Sequence, residues 1–166
     1  MKLPRLKPYQ IALEAVCFLL LLAGLVFVII KYPGLPAKIP NHFDGAGNVT
    51  DYSGRGSLWL LEGINIGMYA MMTVFIFIPA VVRNPNVTWQ VNPASRGALA
   101  SETISLLGEC KLECIALFDY MLIPIVRGVS MEIWPVWLIL GIMTADIILR
   151  LIRMKKVSAM PKQPWG

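Results

Sequence analysis

Two groups of residues in this chain are of types that do chemistry. The first falls in the connector at about 32–57, which holds the single histidine, His42, together with Asp44 and Asp51; Glu62 follows shortly after. An imidazole and two or three carboxylates are divalent-metal ligand types. Their spacing matches neither a standard zinc pattern nor a calcium loop. His42 with Asp51 has the elements of a general acid–base pair, but no serine or cysteine nucleophile is placed beside them. The reading carried forward is structural. His42 and Asp51 bond backbone groups, Phe43 and Tyr52 anchor in the mouth of a helix bundle, and Asp44, Gly45 and Gly47 make a turn. No metal, cofactor or catalytic activity is expected, which leaves this segment as a ligand-binding or loop-structural motif.

The second group is a set of ionisable residues inside long apolar runs: Glu14, Glu62, Glu109, Lys111, Glu113, Asp119 and Asp146. Such groups are costly within a membrane unless paired, so they are functional candidates. At 100° per residue, Glu102, Glu109 and Glu113 fall on one helix face and Lys111 nearly opposite. We expect a buried polar layer in which Lys111 pairs with Glu14 or Asp146, with Asp146 also favourably placed four residues before Arg150. A second cluster of Glu62, Asn65, Asp119 and Arg127 would face the connector, with Arg55 and His42 as its partners. The competing reading has Glu14 and Asp146 reaching the interface and pairing with basic neighbours there.

These residues must be positioned by helices in lipid. The chain is 57% hydrophobic and 15% charged, too greasy for a water-soluble surface. We expect an all-α membrane protein with four transmembrane helices, at about 10–31, 58–82, 102–126 and 132–152, in one domain over 1–156. Gly63 and Gly67 allow close helix approach, and Ser101 or Thr103 would cap the third helix. The tail, 157–166, reads as disordered. Pro33, Pro36 and Pro40 make the start of the connector extended and stiff. Its unpaired amides bar it from hydrocarbon, so it forms an ordered extracytoplasmic loop between the first two helices.

The third helix is interrupted by charges, and the distribution of Lys and Arg decides that it spans. With four spans, the basic N-terminus, the 83–100 loop and the basic C-terminal end share one side. Both termini are then cytoplasmic in a multi-pass plasma-membrane protein. The net charge of +5 reads as topology and headgroup contact rather than nucleic-acid binding. Cys17, Cys110 and Cys114 lie in apolar runs and form no disulfide framework.

Tyr32, Leu35-Pro36, Ile39-Pro40, His42-Phe43, Gly47 and Asp51-Tyr52-Ser53-Gly54 resemble the signature of a bacterial membrane domain of unknown function. That domain occurs at the N-terminus of SdpI-type immunity proteins and in short stand-alone proteins. The likeness covers roughly residues 25–69, and Tyr52 stands where the pattern more often has tryptophan. It implies an integral membrane protein with the motif loop outside, whose partners are the bilayer and a secreted peptide or another membrane protein. Some relatives protect the cell from a secreted peptide toxin or relay its presence. The second module of the longer members finds no match here. The alternative functions are a small transporter or accessory subunit using the buried charges, or a membrane enzyme with a metal at the motif loop.

Overall fold

A computed structural model describes residues 5–85 and 87–159. The element order is α1 (Pro8–Lys31), β1 (Lys38–Phe43), β2 (Val49–Gly54), α2 (Ser57–Phe77), α3 (Pro79–Arg83), α4 (Arg96–Arg127) and α5 (Trp134–Ser158). Three of the helices, α1, α2 and α5, are long and apolar enough to cross a membrane. Their large apolar side chains point outward: Phe18 and Leu22 on α1, Leu60 and Val74 on α2, and Leu138 and Ile148 on α5 are all exposed. A surface of this kind suits hydrocarbon rather than water. Trp134 and Trp137 stand exposed at one end of α5, and Lys155 and Lys156 lie in its last turn.

The fourth long helix, α4, is 32 residues long and forms the centre of the molecule. It packs against α1, α2, α3 and α5. Its buried face includes Leu99, Ile104, Ile115, Leu122 and Ile125, but also Ser105, Lys111 and Glu113. Pairs along its length fix the directions of its neighbours. On α1, Gln10 meets Ser105 and Glu14 meets Lys111; on α2, Thr73 meets Lys111 and Asn65 meets Asp119. On α5, Arg150 meets Glu102 and Glu109, and Asp146, one turn earlier, meets Glu113. Hence α1 runs parallel to α4, while α2 and α5 run antiparallel to it.

Several boundaries differ from the sequence expectation, each for a local reason. The connector is not simply a loop: 38–43 and 49–54 form an antiparallel hairpin, so the fold is not purely α-helical. Its strands pair Lys38 with Gly54 and Ile39 with Ser53, with irregular register around His42. The expected helix at 58–82 breaks at Ile78, whose extended backbone (φ −91°, ψ 104°) is what a following proline favours. Helix α4 begins earlier than expected, at Arg96. Neither Ser101 nor Thr103 caps it: Thr103 Oγ1 donates to Leu99 O within the helix. Gly128, at φ 68°, closes α4 in the left-handed conformation. The helix α5 continues to Ser158, and the chain beside it is tied down. Trp89 Nε1 donates to Ser158 Oγ at 3.2 Å and Asn92 N donates to Ser158 O at 3.3 Å. The rest of the tail expected to be disordered, 160–166, lies outside the described residues.

Candidate functional site: a hairpin lid over a charged central helix

The hairpin is seated on one end of the bundle by its apolar side chains. Leu35 and Ile39 are buried with Val28, Leu58, Leu122 and Ile125, and Phe43 packs against the same cluster. Burying a side chain of this size contributes about 1.5–3 kcal/mol, so Leu35 and Ile39 are the main anchors. Tyr52, expected as an anchor, is 54% exposed. Of the two strands it is β1 that carries the buried residues, Ile39 and Pro40, whereas β2 is largely exposed along its length.

At the hairpin tip the motif residues act on backbone. Asp44 Oδ1 accepts from Ala46 N and Asn48 N, both at 2.9 Å, and Oδ2 accepts from Asn48 Nδ2 at 3.1 Å. The Asn48 side-chain bond, then its backbone bond, hold the Asp44 carboxyl below the usual carboxylate range. Because the folded value is depressed, the contribution to hairpin order is complete above about pH 4. It is lost as pH falls through the folded value. Protection of the Asn48 amide relative to its intrinsic exchange rate should therefore fall on acidification below about pH 4 in the native chain, and Asp44→Ala should abolish that pH dependence.

Gly47 latches the tip to the loop between α4 and α5. Its φ is 87°, and a Cβ there would collide with the Met131 carbonyl. Met131 N donates to Gly47 O at 2.8 Å. The Tyr120 hydroxyl donates to Glu132 O at 2.5 Å and steadies the same loop. Gly47→Ala should loosen the latch by about 2 kcal/mol, from positive-φ strain and a lost hydrogen bond. The check is hydrogen exchange at Met131, expected to rise roughly 30-fold at that cost.

His42 and Asp51 face each other across the strands and are exposed. Asp51 Oδ1 accepts from Tyr52 N at 2.8 Å. Because Asp44 is committed to the turn, it does not join His42 in a ligand set. Among the described residues no three His, Cys, Asp or Glu side chains converge as a metal site. Arg55, expected near the acidic cluster, instead lies over the Tyr32 ring at 5.1 Å.

Below the lid, α4 carries its ionic side chains toward its neighbours. Lys111 is fully buried. Of its two expected partners the structure joins it to Glu14, at 2.5 Å. Lys111 Nζ also donates to Thr73 Oγ1 at 2.9 Å and lies 4.8 Å from the Tyr69 ring centroid. Tyr69 and Thr73, one turn apart on α2, were missed in the sequence; that spacing of two polar-tipped residues was the available signal. Asp146 does not take Arg150. The Arg150 guanidinium donates to Glu102 at 2.8 Å and, through Nε at 2.7 Å and Nη2, to Glu109. A planar fork satisfies two carboxylates from one helix face better than one carboxylate a turn away.

Nearer the lid, Glu62, Asn65 and Asp119 come together as expected, without His42. Glu62 and Asn65 are buried, and Asn65 Nδ2 donates to Asp119 Oδ1 at 3.4 Å. Gly24 leaves the room for the Asp119 carboxylate, which a Cβ there would strike. Arg127 is found at the rim of a cavity beneath the hairpin. This cavity measures about 240 Å³ and is lined by Pro36, Ile39, Pro40 and Tyr52 on the lid side, and by Ile125 and Arg127 on α4.

The fold and this site define a helical protein with membrane-length apolar helices, a polar central helix and a hairpin closing one end. Residues 19–66, covering much of α1, the whole hairpin and the start of α2, match a family model described as Domain of unknown function (DUF1648). No curated protein and no solved structure matches the chain.

Proposed function

We propose that the chain is a four-span bacterial plasma-membrane protein without catalytic activity, whose lid faces outward and receives a secreted apolar peptide. It would serve as an SdpI-like immunity or sensing module. The observation carrying this reading is the cavity between the hairpin and the end of α4, where an exposed tyrosine and two cationic side chains, Lys38 and Arg127, border an apolar floor. Such a rim suits an apolar peptide end, with Tyr52 as an amphipathic contact.

The topology in this proposal has two supports. Helix α4 runs beside three apolar helices and turns its charges onto them, as a spanning helix must. Arg83, Arg153, Lys155 and Lys156 lie at the end away from the lid, the side that basic residues mark as cytoplasmic.

The test is survival of bacteria challenged with a synthetic membrane-permeabilising apolar peptide. Expression of the full chain is expected to protect, and Tyr52→Ala or His42→Ala to reduce survival at least tenfold with the protein still in the membrane. Protection unaffected by either substitution would remove the lid from the function.

A second reading, a small transporter or accessory subunit, is favoured by one observation. The ion pairs of Glu14 with Lys111 and of Glu109 with Arg150, and the Asp119 cluster, are strung along a single helix. Under that reading, substitutions at Glu14, Glu109 and Asp146 alter ion flux into vesicles while lid substitutions do not.

A further inference from the structure

Between α4 and α5 lies a cavity of about 260 Å³ lined by Glu109, Leu112, Glu113, Ala116, Ile139, Ile142 and Asp146. It is remote from the lid, and nothing proposed for the lid uses it. Glu113 is more than nine-tenths buried, and its Oε2 is enclosed without a hydrogen-bond partner. Its side chain hydrogen-bonds with that of Asp146 across the seam, which two carboxyl groups do by sharing a proton. A buried carboxylate oxygen left unpaired is costly, so something ordinarily satisfies it.

The protein's own cations on this seam are committed elsewhere. Arg150 is held by Glu102 and Glu109. Lys111 points to the far side of α4, where it meets Glu14. With a proton shared between their carboxyls, Glu113 and Asp146 leave one negative charge facing this space with no cation of the protein's own beside it, an arrangement that suits a positive guest.

The walls say what kind of guest. A bare metal ion needs about six oxygen ligands, and this cavity offers one hydrogen-bonded carboxyl pair among Leu112, Ala116, Ile139 and Ile142. An ammonium group has three N–H donors that two carboxylates can accept. Its hydrocarbon body would lie against the aliphatic walls. The volume is below that of drug-sized pockets, which limits the body to a short chain or a single ring. Ile142 is 47% exposed and marks an open side through which such a molecule would enter.

We propose that the Glu113–Asp146 cavity is a binding site for a small organic ammonium ion. Glu113 and Asp146 bind the charged head, and Leu112, Ala116 and Ile139 hold the body. This proposal does not rest on the peptide-receptor reading of the lid.

The experiment is titration calorimetry with thermal unfolding on the purified full chain in detergent, using hexylammonium as probe. Hexanol controls for the apolar body and sodium chloride for charge alone. Saturable binding of hexylammonium with a raised unfolding temperature is expected, with neither control reproducing it. Glu113→Gln and Asp146→Asn should each weaken binding at least tenfold. Ala116→Leu, which keeps both carboxylates but fills the cavity, should also abolish it, so the result does not depend on any single variant folding. Glu132→Gln, in the exposed loop before α5, should bind as the parent chain does. Absence of saturable binding, equal stabilisation by hexanol or sodium, or affinity within twofold of the parent in all folded cavity variants would overturn the proposal.

Discussion

Lys111→Met is expected to destabilise the bundle by about 3–5 kcal/mol, the cost of leaving one member of a buried ion pair without its partner. Lys111 joins three helices: it is on α4, bonds Glu14 on α1 and Thr73 on α2, and lies against the Tyr69 ring. Methionine fills similar volume, so packing is largely kept and the loss is electrostatic. Glu14 then stays partly buried with its negative charge unmatched. The double substitution Glu14→Gln with Lys111→Met should restore most of the stability, because the orphaned charge is gone. Denaturant unfolding in detergent, followed by tryptophan fluorescence, measures both. A loss below about 1 kcal/mol, the scale of an exposed pair, would mean that Glu14 is served by solvent or headgroups.

Arg150→Met should cost about as much or more, since it releases two carboxylates on one helix face. Glu102 and Glu109 lie two turns apart on α4, and the guanidinium spans them from α5. Without it, like charges are left across a seam that already contains Glu113 and Asp146. Helix α5 has few other polar ties to α4, so its separation should appear as faster proteolysis or exchange along 134–158, with α1 and α2 less affected. Arg150→Lys should recover only part of the loss. An ammonium is a point donor and cannot present parallel N–H groups to one carboxylate while reaching another. Equal stability of the lysine variant and the parent would show that charge, not the fork, holds the seam.

The sequence made the helical segments legible because continuous apolar runs of membrane length have few other uses. Burial of Lys111 against Glu14 was legible as one of two choices. The helical wheel placed Lys111 opposite the acidic face of α4, but a wheel does not say which neighbour lies on each side. Partner choice at Arg150 was not legible, because a local i, i+4 rule favoured Asp146 while tertiary packing brought two carboxylates from α4. The hairpin was hidden by its prolines and by short strands without clean alternation; Pro40 sits within β1 all the same, paired opposite Tyr52. Gly47 was recognisable as a turn residue. Its docking onto the Met131 carbonyl depends on a loop far away in sequence, and no local pattern encodes it. Tyr52 was misplaced because aromatic character suggested an anchor, whereas it lies on β2, the strand that is exposed along most of its length.

The central claim is that α1, α2, α4 and α5 all cross the membrane with the hairpin outside. It is tested by thiol labelling in a background lacking the three native cysteines. His42→Cys places a thiol on the exposed face of the lid, and Lys156→Cys places one on the last turn of α5. A membrane-impermeant maleimide is predicted to label the first in intact cells and the second only after the cells are opened. Labelling of both positions in intact cells, or of His42→Cys only after opening, would contradict the account.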